Sequence, residues 1–267
     1  AKEVFDTTPY TILVVDDNPD MTDFLKRTFE GYFKRIIIAG DGGEALQLVR
    51  SHVPDIIVSD VMMPRMNGYK LCKTIKEDIN ISHIPVILLT ARDDRQSQIS
   101  GYKNGADGYL SKPFEVEMLM ELIRNRLKNR EYTKKRYLNA GLIPTPEEST
   151  ISLTDETFLI KLNSIIQENI ENSNLGIQFI CQEVGLGRSS LYNKLKALTG
   201  MGANEYISKL RIEKAITLIS GTDMPFSEIA EKTGFTTPSY FSTAFKQYTG
   251  ETPSQYKERK KKGLADK

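Results

Sequence analysis

The chain has few of the residues from which metal and disulfide sites are built: two cysteines and two histidines in 267 residues. Cys72 and Cys181 fall on helical apolar faces in different halves of the chain. They read as small buried hydrophobes of a reducing compartment. His52 and His83 lie near turns with no partner at ligand spacing, which assigns them no metal role. No apolar run approaches the ~18 residues a membrane-crossing helix needs, and the first residues lack the apolar stretch of a signal peptide. A cytoplasmic location with no membrane contact by this segment is the expectation. An excess of one charge is also missing, since the net formal charge is +1. That balance hides an asymmetry. Residues 1–130 are near neutral, whereas in residues 175–262 lysine and arginine outnumber aspartate and glutamate. A basic rear module behind a neutral front points to nucleic acid. The length suggests two domains, and an apolar fraction of 39% is enough for two cores.

What is present is a set of short apolar runs, Ile12–Val15, Ile56–Val58, Val86–Leu89 and Tyr109–Leu110, each at or just before a polar residue. Those residues are Asp16 and Asp17, Asp60, Thr90, and Lys112. With Ile36–Ile38 as a further strand, the runs alternate with helix-like segments near Asp20–Tyr32, Gly42–His52, Tyr69–Glu77, Arg95–Asn104 and Glu115–Lys128. Alternation of this kind gives a parallel sheet with helices on both faces. Ligands of such sheets bind at the carboxyl ends of the strands, where three carboxylates, a hydroxyl and an amine would then meet. The set suits phosphoryl transfer, in which catalysis is positioning plus cations. Asp16 and Asp17 can hold Mg2+, a hard cation that takes oxygen ligands. Asp60 is the natural acceptor. Lys112 supplies a mobile point charge, and Thr90 a hydroxyl.

VVDDN (Val14–Asn18), SDVMMPRMNG (Ser59–Gly68), LLTA (Leu88–Ala91) and GADGYLSKPF (Gly105–Phe114) resemble the receiver domain of two-component response regulators. The resemblance implies a flavodoxin-like, doubly wound parallel five-stranded fold of strand order 2-1-3-4-5. It makes Asp60 the phosphoacceptor, with Asp16, Asp17, Asp60 and the Met62 backbone carbonyl as the Mg2+ site. It makes Thr90 and Tyr109 a switch pair, Lys112 the phosphate contact, and the Lys112–Pro113 bond cis. Phosphatases of the haloacid dehalogenase type also use an aspartate after a strand, with a second aspartate two residues on as general acid. Here that position is Met62. The phosphoenzyme therefore has no obvious route to rapid turnover, and this chain reads as a switch and not as an enzyme.

Helical character continues to about Tyr137. Leu138–Ser152, with two prolines and a glycine, reads as a linker, and Asp155–Glu171 as an amphipathic helix burying Phe158, Leu159, Leu162, Ile165, Ile166 and Ile170. The expected boundaries are 8–130 for the receiver, 131–154 for a helical extension and linker, and 155–260 for an all-α double helix-turn-helix domain. The repeat sits in Ile177–Gly200 and Phe226–Gly250. Each copy is a helix, a glycine turn and a second helix, and a long helix near Ala203–Ser220 joins them. Gly185 pairs with Gly234 and Gly200 with Gly250, so the second turn is one residue longer. RSSLYNKLKALTG (Arg188–Gly200), RIEKAITLI (Arg211–Ile219), IAEKTGF (Ile229–Phe235) and YFSTAFKQYTGETPSQY (Tyr240–Tyr256) resemble the AraC/XylS transcription activators. Gly187 stands where that family often has serine before the first recognition helix, and glycine is a tolerable N-cap. Thr237 caps the second, with Pro238 at its first position. Lys260–Lys262 read as a solvated tail.

Leu191, Leu195 and Leu198, then Phe241, Phe245 and Tyr248, are expected to face the core. The opposite faces present Arg188, Ser189, Tyr192, Asn193 and Lys196, then Ser239, Ser242, Thr243 and Lys246. Arg188 can reach guanine or phosphate and Asn193 adenine, while Lys196 and Lys246 suit phosphates. The reading is a DNA-binding regulator phosphorylated by a histidine kinase and acting on repeated duplex sites. The receiver resemblance implies a homodimer through the face built from the fourth helix, fifth strand and fifth helix. The first residue is Ala1 and not methionine, and a receiver followed by an AraC-type reader is also the tail of hybrid sensor kinases, so the output tail of such a sensor is the alternative reading. A protein-interaction module with no DNA role is the third reading, and the paired helix-turn-helix argues against it.

Overall fold

The computed structural model describes residues 4–91, 105–139 and 152–265. The chain divides into two compact units, one carried mainly by residues up to 139 and one mainly by residues from 157 onward. In the first unit, among the described residues, five parallel strands pair in the order β2-β1-β3-β4-β5. They are β1 (Thr11–Val15), β2 (Arg35–Ala39), β3 (Ile56–Asp60), β4 (Val86–Thr90) and β5 (Gly108–Ser111). Helices α1 (Pro19–Phe29), α2 (Gly42–His52), α3 (Gly68–Glu77) and α4 (Val116–Asn139) accompany them. The helix expected over Arg95–Asn104 lies outside the described residues, as does most of the expected linker.

Strand period explains why these runs form the centre. Successive side chains of a strand point to opposite faces. Leu13, Val15, Ile57, Val86 and Leu88 join one core with α2 and α3 residues such as Ala45, Val49, Leu71 and Ile75. Ile12, Val14, Ile56, Val58, Ile87 and Leu89 join the other with Leu25, Phe29, Leu119 and Ile123. A strand buried on both faces must read as a continuous apolar run, and β3 and β4 are buried at every position. Side chains start the helices: Asn18 accepts from the Asp20 N–H, Asp41 from Gly43 and Glu44, and Asn67 from Lys70. Helix α1 stops at Phe29, three residues before the expected Tyr32, because Gly31 takes a left-handed φ of 82°.

The second unit is helical: α5 (Leu153–Glu168), α6 (Ile177–Val184), α7 (Arg188–Thr199), α8 (Ala203–Gly221), α9 (Phe226–Lys232), α10 (Pro238–Thr249) and α11 (Pro253–Ala265). All six apolar residues expected to be buried in the 155–171 segment are so. Two expectations need correction. Lys260–Lys262 belong to α11 and not to a tail. Tyr248 is 37% exposed, unlike Phe241 and Phe245 at 0%. A tyrosine carries a polar tip that needs a partner, and the Tyr248 hydroxyl donates to the Glu205 carbonyl at 2.7 Å.

Candidate functional site

Register places the polar residues together. Val15 of β1 pairs with Ser59 of β3, so Asp16 and Asp60 leave adjacent strand ends. Asp60 pairs with Leu89 on β4, and Thr90 with Ser111 on β5. The Lys112 N–H then donates to the Thr90 carbonyl at 2.6 Å, and the Lys112–Pro113 bond is cis. Asp16, Asp60 and Thr90 are buried, while Asp17 is exposed beside them.

Lys112 bridges the carboxylates. Its Nζ donates to Asp60 Oδ1 at 2.6 Å and to Asp16 Oδ2 at 2.8 Å. Asp60 Oδ2 accepts the Met62 N–H at 2.6 Å, and Asp16 Oδ1 the Asn18 N–H at 3.0 Å. Burial pushes the Asp60 carboxyl above the usual range, and the neighbouring Asp16 charge adds to it, although Lys112 and the Met62 N–H oppose. Burial alone would lower the Lys112 ammonium, but its bonds to Asp16 and Asp60 outweigh this and raise it. Two buried carboxylates thus share one ammonium. Among the described residues, no three His, Cys, Asp or Glu side chains already converge as a metal-binding group. The donor chemistry nevertheless fits Mg2+, which is held through one or two carboxylates plus waters.

Tyr109 is half-buried on β5, and its hydroxyl lies 2.8 Å from that of Tyr69 on α3. The motif reading had no role for Tyr69. Its signal was a phenol placed directly after Gly68, among positions otherwise taken for helix packing. Met62 is exposed on the loop after Asp60.

In the helical unit, Arg188, Ser189, Tyr192 and Lys196 are exposed on α7, with Asn193 half-buried. On α10, Ser239, Thr243 and Lys246 are exposed and Ser242 is half-buried. The Ser242 hydroxyl donates to the Pro238 carbonyl at 2.9 Å and that of Thr243 to Ser239 at 3.1 Å. The opposite faces are packed: Leu191, Leu195 and Leu198, and Phe241 with Phe245, are buried. Two solvent-facing residues of α10 escaped the sequence reading. Tyr240 is 54% exposed, its ring edge-on to Phe235 at 5.7 Å, and Gln247 is exposed. Both lie off the Phe241/Phe245 stripe, so the same helical spacing could have found them. α7 and α10 are each 12 residues long and end on glycines with φ of 75° and 81°. Each lies behind a short helix and a turn holding a positive-φ glycine, Gly185 or Gly234. The surfaces are therefore two copies of one device.

Comparison with known proteins assigns each unit. Residues 12–124 match the model of the response regulator receiver domain, and residues 180–259 that of a helix-turn-helix domain. The chain is similar to Histidine kinase P4 of Formosa agariphila, 41% identical over 249 residues, 93% of this chain but 18% of that protein. It is similar to the DNA-binding response regulator MtrA of Mycolicibacterium smegmatis, 36% identical over 136 residues, 51% of this chain and 58% of the relative. It is also similar to the response regulator MprA of Mycobacterium sp. strain KMS, 36% identical over 165 residues, 57% of this chain and 70% of the relative. The chain thus spans less than a fifth of the first of these proteins and somewhat over half of the second. With a receiver domain followed by an AraC-type helix-turn-helix domain, the chain belongs to the response regulators.

Proposed function

We propose that this chain is a phosphorylation-controlled, sequence-specific DNA-binding transcription regulator. The observation that carries the reading is the Asp16–Lys112–Asp60 cluster at the carboxyl ends of parallel strands, on one chain with two helix-turn-helices. An Asp60 oxygen attacks the phosphorus of a phosphohistidine on a histidine kinase. The P–N bond breaks, its electron pair stays on the imidazole, and the acyl phosphate remains on Asp60. Lys112 leaves its bridging position to pair with a phosphate oxygen. Asp16, Asp17, Asp60 and the Met62 carbonyl are the groups that would hold Mg2+, which neutralises charge on the transferring oxygens. Thr90 offers its hydroxyl to the phosphate, and Tyr109 responds from β5. The output is pairing of receivers into a homodimer that presents its readers to repeated DNA sites in the cytoplasm. Arg188, Ser189, Tyr192, Asn193 and Lys196 on α7, and Ser239, Ser242, Thr243 and Lys246 on α10, face that DNA. The working boundaries are 8–130, 131–154 and 155–260.

A second reading concerns the parent protein. The relative aligned over 93% of this chain is named a histidine kinase, and the chain fills only 18% of it. This favours the same two modules as the output tail of a hybrid sensor. The mass of the native gene product distinguishes the two.

The test is intact-protein mass after incubation with Mg2+ and acetyl phosphate, alongside a gel-shift series on duplex DNA. The unsubstituted chain gains one phosphoryl group and Asp60→Asn gains none, while DNA affinity falls steeply with salt. Equal labelling of both proteins, or a flat salt response, overturns the reading.

A further inference from the structure

The loop that follows Asp60 is tied down on two sides. Toward its own strand, the Met62 N–H donates to Asp60 Oδ2 at 2.6 Å and the Gly68 N–H to the Val61 carbonyl at 3.0 Å. Toward the start of α2, Arg65 Nε donates to Asp41 Oδ2 at 3.0 Å, and Arg65 Nη2 reaches the same oxygen. The Gly42 N–H also donates to the Met66 carbonyl at 3.2 Å. The two backbones approach so closely at Gly42 that a Cβ there would lie 2.6 Å from the Met66 carbonyl oxygen. Arg65 has a φ of 61°, a left-handed conformation that costs a non-glycine residue free energy and needs surrounding contacts to persist.

Asp41 divides its carboxylate between two tasks. Oδ1 accepts the Gly43 N–H at 2.6 Å and the Glu44 N–H at 3.0 Å, capping α2. Oδ2 takes the guanidinium. The Arg65 side chain is 74% exposed and that of Asp41 10%, and a pair whose cationic side is open to solvent contributes only modestly to folding stability. The pair's effect is therefore on the geometry of the loop it anchors.

We propose that Arg65 is a positioning residue for phosphoryl transfer: its fork on Asp41 holds the 61–67 loop, and with it the Met62 backbone, in register with Asp60. The inference rests on the phosphoacceptor reading of Asp60. Without the fork the loop samples other conformations, and the Met62 backbone is no longer held at Asp60 through its N–H.

The experiment uses the full chain with Arg65→Met, Arg65→Lys, Asp41→Asn and the Arg65→Met/Asp41→Asn double variant. Asparagine caps a helix about as well as aspartate, so Asp41→Asn removes the ion pair and spares the start of α2. Three quantities are read: the thermal midpoint, the Mg2+ dissociation constant by calorimetry, and the rate of Asp60 labelling by acetyl phosphate at saturating Mg2+. The expected result is a nearly unchanged midpoint with Mg2+ affinity weakened about tenfold in Arg65→Met and in Asp41→Asn, as for other residues that support metal ligands. The double variant loses no more than either single one. Arg65→Lys recovers part of the loss, since it keeps the charge but not the planar fork. Wild-type Mg2+ affinity in Arg65→Met, or losses that add in the double variant, overturns the proposal. If the unsubstituted chain neither binds Mg2+ nor becomes labelled, the phosphoacceptor reading falls, and the proposal with it.

Discussion

The hydroxyls of Tyr69 and Tyr109 lie 2.8 Å apart, a hydrogen bond between α3 and the edge strand β5. A net hydrogen bond contributes about 0.5–1.5 kcal/mol. Tyr69→Phe should therefore release Tyr109 from this arrangement and raise the affinity for beryllofluoride with Mg2+, by up to about tenfold. Calorimetric titration checks it, and an unchanged affinity would mean that the bond is not coupled to the site.

The two turn glycines should differ in tolerance. Gly185 and Gly234 share a left-handed φ, 74° and 72°. A Cβ on Gly185 meets nothing within 4 Å, whereas one on Gly234 would strike the Ile170 carbonyl and lie 2.8 Å from Arg211 Nη2. Gly185→Ala should cost the left-handed penalty of about 1–2 kcal/mol. Gly234→Ala should cost more, above roughly 3 kcal/mol, because backbone has to move. Equilibrium denaturation of the two variants measures the difference, and equal losses would contradict it.

Cys72 gives a pH dependence. Burial pushes its thiol up to about 12 from an ordinary 9.0. Between those values the native chain keeps a proton that the unfolded chain gives up, so this group lowers stability as pH rises above about 9. Cys72→Ala should flatten that slope. Iodoacetamide at pH 8.5 should leave Cys72 unmodified until denaturant is added, and peptide mass mapping reports the outcome.

The two recognition helices should read separate bases. α8, at 19 residues, is long enough to hold them in neighbouring major grooves, since a helix of that length spans roughly 28 Å and grooves on one face of DNA repeat every ~34 Å. Asn193→Ala should relax one half of the selected site by about 1–3 kcal/mol if it pairs with adenine, and Thr243→Ala should perturb only the other half. Lys246→Ala should weaken all sequences alike. Selection from a random duplex pool tests this. Overlapping base positions for Asn193 and Thr243 would rule out the two-groove arrangement.

The central strands could be read from sequence because burial on both faces favours an apolar run, as in Ile56–Val58 and Val86–Leu89, while the edge strands β2 and β5 are buried only at alternate positions. The meeting of Asp16, Asp60 and Lys112 followed, since strand ends in a parallel sheet are fixed by pairing. Contacts that join distant segments were not readable. Nothing in the local pattern links Arg65 to Asp41, 24 residues away, or the Tyr248 hydroxyl to the Glu205 carbonyl. A helical stripe predicts which side of a helix is apolar but not how far an amphipathic ring sinks, and Tyr248 was placed too deep for that reason. Lys194 shows the reverse. It is fully buried, with its ammonium 5.1 Å from the Phe158 ring centre, at a position where a charged residue reads as solvated.

The bonds made by Ser242 and Thr243 along α10 bear on what that helix can recognise. Each hydroxyl hydrogen is already engaged by a carbonyl one turn back. Were α10 to lie against bases in this arrangement, the free lone pairs of these two hydroxyls would suit the exocyclic amino groups of adenine or cytosine over the keto oxygens of guanine or thymine.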